Sequence, residues 1–540
     1  MKINFLEIFY GPQIKKQRQV YYGGILLLSL LVALFCSPNE QFLKIILSTV
    51  ILITLLTSGL RLSINQWTLL SVLAMSVFIL NSLFFGQSLF LYIAILALCA
   101  LSIFYQPKTG IYIIILATIW FERHFTLQSL VIGQSVYKIY PLDFIIIFTS
   151  LSVLYRIIKD KWRWQWGKLD KPILLFGAIC TFGYMYGIAK TGVSDYFAFG
   201  TYKNYFLYAI IYALMGFLFK TRKDWKELMI WFSVGGLGLF YFMFYGIING
   251  HGLWSEYTPL STSGERLIAG THVFYMLMFG FWLLALYLWP KLEKVRYPRK
   301  IVPWFLGLVS LALLISLVRH LWLAIAGVAV VWMIFLLRQQ KIKFVSLFLK
   351  GLFVSTVAIL AYAWIIGLAT SQAPPILNQV WHVLTERASV ETIMSLEDSS
   401  AHYRILAWKA GLQAWQENPL LGTGLGQTIT GMKEDASYIF TIAAKEMHNN
   451  YLSMLVQMGL LGILVLFYWF WIIIKEILGL WKKLKFKHNF DTALFFCWGS
   501  TVLLFMLVFV ISVYWDVNLF VIWWWLAVSA ISYLLKQRSI

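Results

Sequence analysis

Charge is what this sequence has least of. Only 12% of its 540 residues are Asp, Glu, Lys or Arg, roughly half the share of a soluble domain, which excludes an ordinary water-soluble fold. Cysteine is nearly absent. Cys36, Cys99, Cys180 and Cys497 each sit in or at the end of an apolar run, without CxxC or Cys/His spacing. They read as small packing residues, which excludes a disulfide framework, a zinc site and thiol catalysis. No Asp-x-Asp occurs, and the adjacent acids Glu397-Asp398 and Glu434-Asp435 read as solvated loop residues. A metal-dependent transferase therefore finds little support, and no Ser/His/Asp order stands out. No internal repeat is visible, which weighs against a transporter built from repeated halves. No cleavable signal is expected; Ile3 to Arg18 reads as an interfacial helix ahead of a first span.

What is present is apolar length. Hydrophobic residues make up 60% of the chain, in continuous runs of ~20 residues rather than alternating ones, which favours spanning helices over a β-barrel. The expected fold is an all-α polytopic membrane protein with about 12–16 transmembrane helices and one large extracytoplasmic loop carrying amphipathic helices. The expected organisation is N-terminal spans over residues 1–249, central spans with outer arginines over 250–369, the large outer loop over 370–447, and C-terminal spans over 448–540. Residues 121–140 read as a mixed, partly re-entrant outer piece, and 192–203 as an outer loop. Arg319-His320 alone separates two apolar spans, and a later span follows Lys350.

The net charge of +21 invites a nucleic-acid reading, but its distribution opposes one. With polar gaps placed alternately inside and outside from an inside N-terminus, the inside segments hold 32 Lys+Arg against 8 Asp+Glu. The remainder holds 12 against 15. That asymmetry is the positive-inside rule, so the basic excess reports orientation, with both termini cytoplasmic, and no nucleic-acid partner is implied.

The longest polar interruption ends in the stretch from Ser399 to Gly462. Ser399 or Ser400 can cap a helix, Ile405, Trp408, Leu412 and Trp415 give it one apolar face, and Asn418-Pro419 ends it. Such a helix suits the bilayer surface, and it carries Arg404. Gly422, Gly424 and Gly426 form a sharp turn back to the membrane; without a preceding strand they are no dinucleotide fingerprint. His448 stands at the mouth of the next span, and its charge change near neutral pH suits a general base. His272, His320 and His402 are rivals for that role. Arg266, Arg319 and Arg404 fall on the outer side, where guanidinium groups can fork onto phosphate. Arg319 taken alone reads more readily as a headgroup anchor.

These residues resemble the O-antigen ligase and polymerase family of bacterial envelope proteins. The carrying pattern is Tyr403-Arg404 with Trp408 on a helix ending in Asn418-Pro419, then Gly422 and Gly424, then His448-Asn449 and a span with Gly459 and Gly462. Arg266 upstream of Gly270-Thr271 resembles the family's arginine before Gly-Thr, and Arg319 the arginine that opens the span after span 11. The chain departs from the pattern where His272-Val273-Phe274 follows Thr271 and where Val318 replaces the serine before Arg319. The resemblance implies a metal-independent, inverting glycosyl transfer at the outer face of the bacterial cytoplasmic membrane, without a cofactor. It implies a polyprenyl-pyrophosphate-linked glycan as donor, a glycan or lipid acceptor, and membrane lipids as surroundings. It implies catalytic roles for His448, Arg404 and Arg319, and substrate contacts for Arg266, Asn449, Tyr403 and Trp408. The competing class is a glycan transporter or lipid flippase without catalysis. That class would place ionisable residues well inside the spans and repeat its fold; few such residues and no repeat are seen.

Overall fold

The computed structural model describes residues 68, 71–72, 74–75 and 89–537, apart from 123–125, 128–129, 133–134, 138–139, 192–194, 250–267, 290–300, 317, 371–398, 433–438 and 486–488. The expected N-terminal interfacial helix and Arg266 lie outside the described residues. Seven described helices are long and apolar enough to cross a membrane, and four shorter apolar helices accompany them. The protein is an all-α, multi-pass membrane protein.

The chain divides into two units. The first comprises residues 1–164, 213–244 and 290–300. It contains α1 (Leu89–Tyr105), α2 (Lys108–Leu116), a π-helical turn (Ala117–Phe121), the hairpin β1 (Leu130–Ile132) and β2 (Ser135–Tyr137), and α3 (Pro141–Lys159). The mixed piece expected at 121–140 is thus partly a β-hairpin, paired Leu130 to Tyr137. The short apolar run after Lys108 is wholly buried from Thr109 to Phe121, so burial in protein rather than span length explains its apolarity.

The second unit comprises residues 165–212, 245–289 and 301–540. Its elements are α4 (Asp170–Thr191), α5 (Asp195–Tyr205), α8 (Gly270–Leu288), α9 (Val302–Ile315), α10 (Arg319–Phe335), α11 (Arg338–Thr370) and α12 (Ser399–Glu417). The hairpin β3 (Thr428–Met432) and β4 (Ile439–Ala443) follows, then α13 (Asn450–Leu484), α14 (Phe490–Val508) and α15 (Asn518–Lys536). Two helices, α6 (Ile210–Leu218) and α7 (Arg222–Asn249), contribute residues to both units. The outer loop expected at 192–203 is largely α5. The span expected after Lys350 is the second half of α11, which begins at Arg338 and runs through the basic stretch without a break.

The core of this unit is aromatic. Trp469 stacks on Trp525 at 5.2 Å and Phe470 on Trp515 at 6.0 Å, and all four side chains are buried. Buried indole rings supply large contact area within apolar surroundings. Trp332 of α10 also donates its indole N–H to Ser500 Oγ of α14 at 2.8 Å. These contacts tie α13 to α15 and its preceding turn, and α10 to α14.

Candidate functional site

Helix α12 begins at Ser399 and ends at Glu417, just before Asn418-Pro419. Its packed face differs from the expected one. Trp408 and Trp415 pack inward with Leu406 and Ala414, around buried Ala407 and Ala410. Ile405 and Leu412 instead point outward, 37% and 43% exposed. The reason is size. A Cβ at Gly411 would lie 2.7 Å from Met447 Sδ, so the alanine–glycine side makes the close approach and the larger residues flank it. The outward isoleucine and leucine remain available to a membrane surface. The buried partners are Ile429 and Ile442 of the β3–β4 hairpin, Met447, and Val456 of α13. That hairpin pairs Thr428 to Ala443 through Met432 to Ile439 and adds a small strand element to the loop expected to carry amphipathic helices.

The glycine turn is a wedge. Helix α13 is broken at Gly459, where φ is 63°. The break would leave peptide groups unpaired, which costs several kcal/mol each inside a bilayer. The turn supplies the partners. Thr423 N–H donates to Val456 O at 2.8 Å and Gly424 N–H to Gln457 O at 2.9 Å. In return Leu460 N–H donates to Pro419 O and Leu461 N–H to Leu420 O, at 2.9 and 3.2 Å. A Cβ at Gly459 would sit 2.3 Å from Leu420 O, and one at Gly424 (φ 95°) 2.3 Å from Gly187 Cα of α4. Only glycine satisfies both the left-handed backbone and this approach. Lys190 Nζ donates to Asn418 Oδ1 and ties the end of α4 to the helix stop.

This wedge fixes the chain that enters α13. Asn449 Oδ1 accepts the Leu452 N–H at 3.0 Å and caps the helix, so its side-chain oxygen is occupied structurally. His448 precedes it in the left-handed region, φ 52°, a conformation uncommon for a residue with a Cβ. Trp408 donates its indole N–H to Met447 O at 2.7 Å, and the Tyr403 ring meets the His448 ring edge-on at 6.4 Å. Burial, and secondly the Arg404 guanidinium, hold the His448 imidazole down to about 4. Four of the expected residues, Tyr403, Arg404, Trp408 and His448, therefore come together around the α12–α13 junction. At neutral pH the imidazole is uncharged, with a lone pair beside a permanent cation.

Arg319 opens α10 directly after a tight turn in which Val318 N–H is bonded to Ser316 Oγ at 3.3 Å. Its neighbour His320 places Nε2 3.0 Å from Tyr514 Oη, so this rival histidine is engaged with the α14–α15 turn. His272 is buried on α8, 1% exposed. His402 stands on α12, one residue before Tyr403.

One group escaped the sequence reading. Asp516 is buried in the turn between α14 and α15, and that burial pushes its carboxyl up to about 8 against the opposing Lys445 charge. Asn450 Nδ2 donates to Asp516 Oδ2 at 2.9 Å, Asn450 Oδ1 accepts the Trp515 N–H at 3.2 Å, and Asn204 Nδ2 donates to Asp516 O at 2.6 Å. The turn thus holds the first residue of α13, two positions after His448. His320 of α10 and Asn450 of α13 thus both bond to the α14–α15 turn, at Tyr514 and at Asp516. The visible signal was a lone acid in a short outer turn, which carries no pattern by itself.

Among the described residues, no group of three or more His, Cys, Asp or Glu side chains comes together as a metal-ligand set. A comparison with curated proteins found no match to the chain. A family model described as O-antigen ligase matches residues 304–467, from the start of α9 into α13, an interval that contains Arg319, Tyr403, Arg404, Trp408, His448 and Asn449. Over these residues the chain is similar to the O-antigen ligase family, which supports a role in glycan ligation or polymerisation in general.

Proposed function

We propose that this protein transfers a glycan from a polyprenyl pyrophosphate to an acceptor hydroxyl, of a glycan or a lipid, at the outer face of the bacterial cytoplasmic membrane. The observation that carries the reading is the juxtaposition of His448 with Tyr403 and Arg404 at the α12–α13 junction, where burial and the guanidinium lower the imidazole pKa. The acceptor oxygen attacks the anomeric carbon as His448 takes its proton. The bond from that carbon to the pyrophosphate oxygen breaks, its electron pair leaves with the pyrophosphate, and the single displacement inverts the centre. Arg404, with Arg319 and Arg266, stabilises the departing charge electrostatically, the part a divalent cation plays in other transferases. Bound pyrophosphate offsets the field of Arg404 and so raises the basicity of His448 when a base is needed. Tyr403, Trp408 and Asn449 shape the surroundings of the acceptor. The lysine-rich distribution supports the orientation, with both termini cytoplasmic.

His448→Ala tests the base. Positioned base catalysis is worth ~10²–10⁴-fold, so the variant, present at normal levels, is expected to lose product to that degree while lipid-linked donor accumulates. A chelator is expected to leave the wild type unaffected. Wild-type turnover by His448→Ala would refute the assignment, and loss of turnover in His402→Ala alone would move the base to that residue.

A further inference from the structure

The end of α13 far from His448 holds a feature that glycosyl transfer does not use. A cavity of about 950 Å³ opens between the segment leading into α4, the last turns of α13 and the end of α15. Six lysines line it: Lys168, Lys171, Lys475, Lys482, Lys483 and Lys536. Two have acidic partners. Lys168 Nζ bonds both Glu476 oxygens at 3.0 Å, and Lys536 Nζ lies 3.9 Å from Asp170 Oδ2. Among the described residues, Lys171, Lys475, Lys482 and Lys483 have no carboxylate within ion-pair distance, and all four are exposed.

Orientation alone explains lysines near span ends, but not their convergence. These come from three chain segments far apart in sequence and surround one cavity. Apolar groups share the lining. Trp166 and Trp471 stand 69% and 64% exposed beside the lysines, as tryptophan does at a membrane–water interface. A ligand that satisfies both sets carries a phosphate and acyl chains. The volume suits a bound small ligand, and basic pockets between spanning helices on the cytoplasmic side hold anionic headgroups.

The geometry points to this cavity as a binding site for an anionic phospholipid of the inner leaflet, its phosphate among Lys171, Lys475, Lys482 and Lys483 and its acyl chains along Trp471 and Ile474. The paired acids set the arrangement. Glu476 in the lining and the buried Asp170 hold Lys168 and Lys536 and leave the other four lysines for the ligand.

Native mass spectrometry of the full-length protein, released from an equimolar mixture of phosphatidylglycerol and phosphatidylcholine with identical chains, tests this. Wild type is expected to retain phosphatidylglycerol in excess. A lysine near an anionic headgroup contributes about fivefold in affinity, so K475Q/K482Q/K483Q should weaken retention roughly 10²-fold. Gly479 lines the same cavity, and a Cβ there meets nothing within 4 Å. G479W is therefore expected to fill the cavity and lower retention with every lysine kept. Both variants are compared at wild-type elution from size exclusion; should the triple variant not reach it, K483Q replaces it, with about a fivefold loss. Equal retention of the two lipids by wild type would overturn the site. Unchanged retention by G479W would overturn the cavity in favour of a diffuse field. Displacement of phosphatidylglycerol by inorganic phosphate, at matched ionic strength, would overturn the lipid in favour of a free anion.

Discussion

At its first turn α13 is preceded by a histidine in left-handed backbone, capped by Asn449, anchored by Asn450 and wedged open at Gly459 by the α12 turn. At its last turns the same helix carries Lys482 and Lys483 in solvent, without ion-pair partners among the described residues. The near end holds few charges, and their surroundings shift the protonation of His448 and Asp516. The far end holds many charges and leaves most of them hydrated. The contrast follows from dielectric. A group meant to exchange a proton or feel a developing charge is tuned by removing water, whereas attraction to a charged headgroup needs only proximity and number.

The sharpest way to break this comparison lies on two glycines of the one helix. Gly459→Ala places a Cβ against Leu420 O at a backbone angle that alanine resists. It is expected to cost more than about 3 kcal/mol and to lower Tm and yield together. Gly479→Ala meets open space in regular helix and is expected to be neutral or to stabilise by up to about 1 kcal/mol. Equal Tm changes in the two variants would remove the wedge as the organising contact.

Much of the near end was readable before the structure, and the limits have physical causes. The end of α12 follows from Asn418-Pro419, which acts locally. The turn at Gly422 to Gly426 is legible because positive φ selects glycine. The break at Gly459 was not, since it depends on Pro419 and Leu420 arriving from another segment to complete the hydrogen bonds. The β3–β4 hairpin was missed because two five-residue strands in a polar loop give too few alternations to register. The outward turn of Ile405 and Leu412 was missed because a periodicity argument ranks side chains by hydrophobicity, while close packing at Gly411 ranked them by size. Asp516 became visible only when the α14–α15 turn was seen to bury it against Asn450.

Arg404 offers the next largest effect and separates its two contributions. Arg404→Lys keeps the positive field near His448 but loses the fork onto phosphate. A loss of roughly 10²-fold in turnover is expected, with the acid limb of the kcat/KM profile unmoved. Arg404→Gln removes the field as well. One of the two causes that hold His448 down to about 4 disappears, so its pKa rises toward the ordinary histidine value. The acid limb of kcat/KM should then move to higher pH. Identical acid limbs in Arg404→Gln and wild type would disconnect Arg404 from His448, and full turnover by Arg404→Lys would end its assignment to pyrophosphate.

The smallest effect on activity is expected from Asp516→Asn, and its value lies in the pH dependence of stability. With its carboxyl raised to about 8 in the fold and near 3.9 in an unfolded chain, Asp516 keeps a proton between those limits that the unfolded chain has released. The unfolded state binds fewer protons there, so stability falls as pH rises from about 4 to about 8 and levels off above. Asparagine retains an uncharged side chain with an oxygen that can accept from Asn450 Nδ2, and it does not titrate. Activity near pH 7 should therefore change little. The Tm of wild type should decline relative to Asp516→Asn across that range, and the difference should stop growing above about pH 8. The exposed lysines at the far end provide the control: replacing Lys482 or Lys483 by Gln should leave the shape of the Tm–pH curve between pH 5 and 9 unaltered. Parallel curves for wild type and Asp516→Asn would mean that the Asp516 carboxyl ionises as it would in water. In that case desolvation would not be what distinguishes the first turn of α13 from its last.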